Sequence, residues 1–81
     1  MNSKVITGYE IDTVELKKLM IDNHLDSIDA LSEKSGVNRN TVADTVNGRS
    51  YPSTMVMHKI AITLHMDSNI AGKIFFKEKL A

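Results

Sequence analysis

The chain has 81 residues, 42% of them hydrophobic, and its ten basic and ten acidic side chains give a formal net charge of zero. This length predicts one small globular domain, and the apolar fraction is too high for a disordered tail. The lack of cysteine excludes disulfides and thiolate chemistry. No apolar run approaches the ~20 residues that span a bilayer, and the N-terminus lacks the apolar core of a signal peptide. We therefore expect a cytoplasmic protein.

The pattern of apolar and polar residues divides the chain into three parts. Residues 1–11 are predicted to be an entry segment, residues 12–76 a helical domain, and residues 77–81 a short polar tail. The apolar residues of the entry segment could form a brief extended stretch packed on the domain: Val5, Ile6, Tyr9 and Ile11.

A first helix is predicted to begin at Asp12. Asp12 and Glu15 form a pattern like the capping box, in which a side chain before the helix accepts from a free amide of the first turn. Apolar residues follow at helical spacing up to Asn23 and His24, where we expect the helix to end. His24 would place a cation at the negative end of the helix dipole.

Residues 27–48 read as two short helices joined by a tight turn. Ser27 is a good N-cap for the first of them, and Gly36 is suited to end it because glycine takes the left-handed conformation without steric cost. Asn38 is a second N-cap, and Gly48 follows the end of the second helix. Two helices crossing over a glycine-containing turn form a helix-turn-helix unit.

Two more helices are predicted after a loop at residues 49–53. The fourth helix follows a cap at Ser53 and runs to about His65, and the fifth follows a cap at Asp67 or Ser68. The predicted core consists of the apolar residues that recur at helical spacing: Leu16, Leu19, Leu31, Val37, Val42, Val46, Met57, Ile60, Ala61, Leu64, Ile70, Ile74 and Phe75.

Three segments within residues 31–66 carry a family resemblance. They are Leu-Ser-Glu-Lys-Ser-Gly-Val-Asn-Arg-Asn-Thr-Val at 31–42, Asn-Gly-Arg-Ser-Tyr-Pro-Ser at 47–53, and Lys59-Ile60-Ala61 with Leu64. In this order and spacing they resemble the first helix, turn, recognition helix, exit loop and fourth helix of the phage-repressor/Cro type of helix-turn-helix protein, the XRE family. The resemblance implies an all-α fold, a compact five-helix lambda-repressor-like bundle.

The resemblance also implies a transcriptional regulator of a phage-type genetic switch, acting in a bacterial host cell. It would bind a palindromic double-stranded DNA operator as a homodimer, with helix 3 in the major groove. Arginine suits guanine O6 and N7, and asparagine suits adenine N6 and N7. The expected DNA-binding residues are Asn38, Arg39, Asn40, Ala43 and Asn47 on the recognition helix, with Arg49 and Tyr51 near phosphates. The Tyr51 ring could instead cover the edge of the core before Pro52.

Other features favour a different partner. Residues 1–48 hold five basic and eight acidic side chains, although phosphate neutralisation normally requires basic charge. Ile28 stands where family members often have a phosphate-contacting Gln, and Thr45 and Val46 depart from the family pattern at the end of helix 3. The alternative is an antirepressor that binds the DNA-reading face of a repressor protein. Its expected contact residues are Ile28, Asp29, Asp44, Met55 and Val56.

An enzyme is not expected. The chain has no nucleotide-binding loop and no arrangement of Ser, His and Asp that suggests a nucleophile with its base. The histidines at 24, 58 and 65 lack the spacing to acidic partners that a zinc site requires. We therefore expect no catalytic residues, no metal site and no cofactor.

Overall fold

The computed structural model describes residues 5–81, which form five α-helices and two β-strands. The first four residues of the predicted entry segment lie outside the described part. The elements in chain order are β1 (Ile6–Glu10), α1 (Thr13–Asp22), α2 (Ile28–Ser35), α3 (Arg39–Val46), α4 (Thr54–Thr63), α5 (Ser68–Phe75) and β2 (Lys77–Leu80). The five helices confirm the predicted five-helix architecture, but the fold is mostly helical rather than strictly all-α, because two strands are also present.

Each helix begins after a residue whose side chain accepts a hydrogen bond from a backbone amide of the first turn. These amides have no partner within the helix, so the caps satisfy them. The capping residues are Asp12, Ser27, Asn38, Ser53 and Asp67. All five agree with the sequence prediction, because a cap acts on an amide only two or three residues away.

The turn between α2 and α3 is held by three local features. Gly36 has a φ of 76°, which is in the left-handed region that favours glycine. The Ser32 hydroxyl donates to the Val37 carbonyl at 2.6 Å, and the Val37 amide donates to the Ser35 hydroxyl at 3.2 Å. The Val37 side chain is buried. These contacts fix the angle at which α3 leaves α2.

The helices enclose one hydrophobic core. Leu16, Leu31, Val42 and Ile60 are completely buried at its centre, and truncating such a residue to alanine typically costs 2–5 kcal/mol. The other buried apolar residues are Ile11, Met20, Val37, Val46, Met57, Leu64, Ile74 and Phe75. Three residues predicted to be in the core are only partly buried and pack against it: Leu19, Ala61 and Ile70.

The end of α3 keeps its helical structure despite the two departures from the family pattern. Thr45 is buried, and its hydroxyl donates to the Thr41 carbonyl at 2.9 Å, so the buried polar group has a partner. Val46 is also buried. Both side chains therefore belong to the core, and α3 continues through Val46.

The two strands pair antiparallel and join the ends of the domain. Glu10 lies opposite Lys77 and Tyr9 opposite Glu78, with a bulge between Ile6 and Gly8. The Tyr9 ring also meets the Phe76 ring edge to face, with centroids 5.5 Å apart, a favourable aromatic geometry. Residues 77–81 were predicted only as a short polar tail; they are exposed, and Lys77–Leu80 form a strand.

The position of this sheet depends on its attachment to the helices. The backbone amide of Asp12 donates to the carbonyl of Ile74 at 2.8 Å, which ties the residues after β1 to the end of α5. The Ala81 amide donates to the Val5 carbonyl at 3.0 Å at the far end of the sheet.

Within residues 5–81, none of the helices has the length and apolar character needed to cross a membrane.

Candidate nucleic-acid interface

The first turn of α3 presents three polar residues to solvent. Asn38, Arg39 and Asn40 are all exposed, and the Asn38 side chain accepts from the Asn40 amide at 2.8 Å. The N-cap role of Asn38 is thus confirmed. Because recognition helices contact bases with their N-terminal residues, this turn is where the base-reading residues of a helix-turn-helix would stand.

Arg39 is paired with an acidic residue from the preceding helix. Its Nε donates to Asp29 Oδ1, and both side chains are largely exposed. Exposed ion pairs contribute only about 0–1 kcal/mol. The pair joins a residue predicted to read DNA to one predicted for the alternative partner, so the two predicted surfaces overlap here.

Arg49 has the same kind of partner at the other end of α3. Its Nε lies 3.0 Å from Asp44 Oδ1, and its backbone amide donates to the Asp44 carbonyl at 2.8 Å. Both contacts hold the loop after α3 against that helix. Asp44 therefore positions a predicted phosphate-binding arginine, which the sequence alone did not indicate.

Asn47 and Ala43 lie in the last turn of the recognition helix, where a hydrogen bond joins them. Asn47 is the C-cap of α3, and its side-chain amide donates to the Ala43 carbonyl at 3.0 Å. Ala43 is half-buried and Asn47 is exposed. The structure thus gives Asn47 a capping role, and its contact with DNA stays a prediction.

Tyr51 connects the loop after α3 to the last helix. Its hydroxyl donates to the backbone carbonyl of Phe75, while the side chain remains partly exposed and Pro52 beside it is buried. Burial raises the pKa of the Tyr51 phenol above its ordinary value, and the nearby Tyr9 phenol raises it further. This geometry favours the core-edge interpretation of the ring, because the hydroxyl proton already has an acceptor.

The residues of the alternative interface fall into separate places. Ile28 is half-buried and lines a largely apolar groove of about 370 Å³ with Met20, Ile21 and Val46. The remaining lining residues are Lys17, Asp26 and Asn47. Met55 is 67% exposed on α4 and is not part of this groove.

A second, polar cleft was missed by the sequence analysis. It has a volume of about 200 Å³ and lies between the sheet and the loop that follows α3. Lys79 of β2 lines it together with Arg49, Ser50 and Tyr51. The alternation of charged residues in Lys-Glu-Lys-Leu was the only signal in the sequence for this arrangement.

In the part of the chain from residue 5 onward, no group of three or more His, Cys, Asp or Glu could hold a metal ion.

Comparison with known families agrees with this geometry. The family model described as the Cro/C1-type HTH DNA-binding domain matches residues 15–68. That range covers α2, α3 and α4 completely, and it leaves the two-stranded sheet outside. No curated protein and no solved structure gives a significant match. Because the family model matches about two thirds of the chain, the chain belongs to the Cro/C1-type helix-turn-helix family of DNA-binding domains.

Proposed function

We propose that this protein is a phage-type transcriptional regulator, a Cro/repressor-like switch protein that binds an operator in the cytoplasm of a bacterial host. Family membership supports a DNA-binding regulator. The observation that carries the finer proposal is the exposed first turn of α3, where Asn38, Arg39 and Asn40 stand on a turn fixed by Gly36. Side chains held on a rigid turn can meet base edges in one register.

Base reading would fall to Arg39 and Asn40. The Arg39 Nε is held by Asp29, which leaves the two terminal guanidinium nitrogens free to donate. Two donors in this plane match guanine O6 and N7 in the major groove. Asn40 could pair with adenine N6 and N7 through its amide. Asp29 would thus orient the arginine without consuming the donors that recognition needs.

Phosphate contacts would come from the loop after α3 and from helix ends. Arg49 shares its Nε with Asp44 and keeps its terminal nitrogens for a phosphate oxygen. The amides at the starts of α2 and α3 add partial positive charge. Because the net charge is zero, we expect a modest total number of phosphate contacts. Binding to a palindromic operator would require two copies, with half-sites about 34–36 Å apart.

A second candidate function rests on the apolar groove beside α1. An antirepressor would bind the DNA-reading face of a repressor protein, and interfaces have an apolar centre. Ile28 and Ile21 give the groove such a centre, and Ile21 is 60% exposed. If this function is correct, Ile28→Ala and Asp44→Lys should weaken the complex with the repressor and leave the fold intact.

The first experiment is a titration with a mixed-sequence DNA duplex at low salt, followed by amide chemical shifts. A DNA reader should bind with a dissociation constant of about 10⁻⁴–10⁻⁶ M and lose affinity as salt rises. Shifts centred on Asn38–Asn40 and Arg49 would support the regulator. Absence of shifts at low salt would contradict it, and a pull-down with a repressor encoded nearby would then test the antirepressor.

A further inference from the structure

The two-stranded sheet has two chemically different faces. Side chains alternate between the faces of a strand, so β2 places Glu78 and Leu80 on one side and Lys77 and Lys79 on the other. In the observed register Ile6 lies opposite Leu80, which makes the first face partly apolar. The second face carries the two lysines.

Lys79 lies on the face that borders the loop after the recognition helix. It lines the polar cleft of about 200 Å³ with Arg49, Ser50 and Tyr51. Its partner on β1 is Gly8, which has no side chain to pair with the ammonium group. By contrast, Lys77 lies opposite Glu10, an oppositely charged residue. Lys79 therefore has no oppositely charged residue directly across from it on β1. It lines the polar cleft together with Arg49, whereas Lys77 does not.

The backbone around Lys79 is tied to the first strand. The Thr7 hydroxyl donates to the Lys79 carbonyl at 3.1 Å. Arg49, which also lines the cleft, is held to Asp44 through both its side chain and its backbone amide. Two cationic side chains thus face one cleft from two elements that are fixed independently.

We propose that this cleft binds a backbone phosphate of duplex DNA, with Lys79 and Arg49 supplying the charge and the Ser50 hydroxyl able to donate a hydrogen bond. The inference rests on the proposed function and extends it beyond the matched domain. The sheet becomes part of the DNA-binding surface and lengthens the footprint past the recognition helix. Glu10 also lines the cleft, and its carboxylate opposes the phosphate and limits the affinity.

The test measures the salt dependence of binding to a mixed-sequence duplex by fluorescence anisotropy. Losing one phosphate contact reduces the slope of log K against log salt by about 0.9. For Lys79→Ala, the affinity drop between 50 and 200 mM salt should therefore be about three- to fourfold smaller than for the wild type. Lys79→Arg should restore the slope, and Glu10→Gln should strengthen binding.

The matched control is Lys73→Ala. Lys73 is an exposed lysine on α5 that lines a different cleft, with Asp12 and Glu15. It should leave the salt slope unchanged. If the wild type binds duplex DNA but Lys79→Ala and Lys73→Ala give the same slope as the wild type, the cleft is not a phosphate site while the proposed function stands. If the wild type fails to bind duplex DNA at low salt, both proposals are wrong.

Discussion

Arg39 on the first turn of α3 donates its Nε to the carboxylate of Asp29 on α2. The same arrangement recurs at the end of α3, where Arg49 donates to Asp44 at 3.0 Å. Each arginine expected to contact DNA therefore has an acidic partner within the helix-turn-helix. Asp29 and Asp44, two of the acidic residues that favoured an antirepressor, are explained equally well as groups that orient the arginines of a DNA-binding surface.

Replacing Arg39 tests base reading directly. On a selected operator, Arg39→Ala should cost about 1–3 kcal/mol of binding free energy and relax specificity at one base pair, because the two terminal nitrogens suit one guanine. Competition binding with operator variants measures both effects. Asp29→Asn is the control: it removes the negative charge but keeps a side-chain oxygen that can accept from Arg39 Nε, so specificity should be largely retained. Unchanged operator affinity in Arg39→Ala would contradict the assignment.

The sign of the Asp44→Lys effect separates the two candidate functions. If DNA is the target, reversing this charge should raise affinity for duplex DNA at low salt, because a new cation near the phosphates outweighs the loss of the exposed ion pair that holds Arg49, which is worth only about 0–1 kcal/mol. If a repressor is the target, the same variant should weaken the protein complex. Titrations of one purified variant against both partners give the answer. Weaker DNA binding by Asp44→Lys would count against placing this residue near the phosphates.

His65 offers a test of backbone strain. It has a φ of 56° in the left-handed region, just after α4, where a side chain costs roughly 1–2 kcal/mol relative to glycine's freedom. His65→Gly should therefore raise the free energy of unfolding by about 1 kcal/mol, as measured by urea denaturation. The matched control is His58→Gly in the exposed interior of α4, which should lower it by about 0.3 kcal/mol, because glycine is a weaker helix former than histidine. A loss of stability in His65→Gly would show that the imidazole makes contacts that outweigh the strain.

The raised pKa of Tyr51 predicts that the folded protein loses stability at high pH. Its pKa is raised in the folded protein, first by burial and then by Tyr9, so the folded state favours the protonated phenol. This stabilisation is complete below the unfolded pKa and is lost as pH rises through the raised folded pKa. Ionisation also removes the proton donated to the Phe75 carbonyl. Chemical denaturation across the alkaline range measures the effect.

The variant Tyr51→Phe isolates that contribution. It should lower stability near neutral pH by about 0.5–1.5 kcal/mol, because the hydrogen bond to Phe75 is lost. It should also show a smaller further decline above pH 10 than the wild type, since there is no phenol left to ionise. Identical alkaline profiles for the two proteins would assign the decline to other groups.

The helix-turn-helix could be read from the sequence because its signals are short-range. Ser27 and Asn38 cap amides two or three residues away, and Gly36 takes the left-handed conformation that ends α2. Periodic apolar residues then placed most of the core. These interactions depend on local backbone geometry, so neighbouring residues determine them.

Only the tertiary structure decided the sheet and the pairing of the charges. The segment 77–80 is short and mostly charged. It forms a strand only because Ile6–Glu10, some seventy residues earlier in the chain, provides a backbone partner. Arg39 meets Asp29 because the turn at Gly36 brings two helices together. The sequence by itself determined which segments are helical and where they begin, because capping and periodicity act over a few residues. It left open which distant segments meet, because that depends on the packing of the whole core.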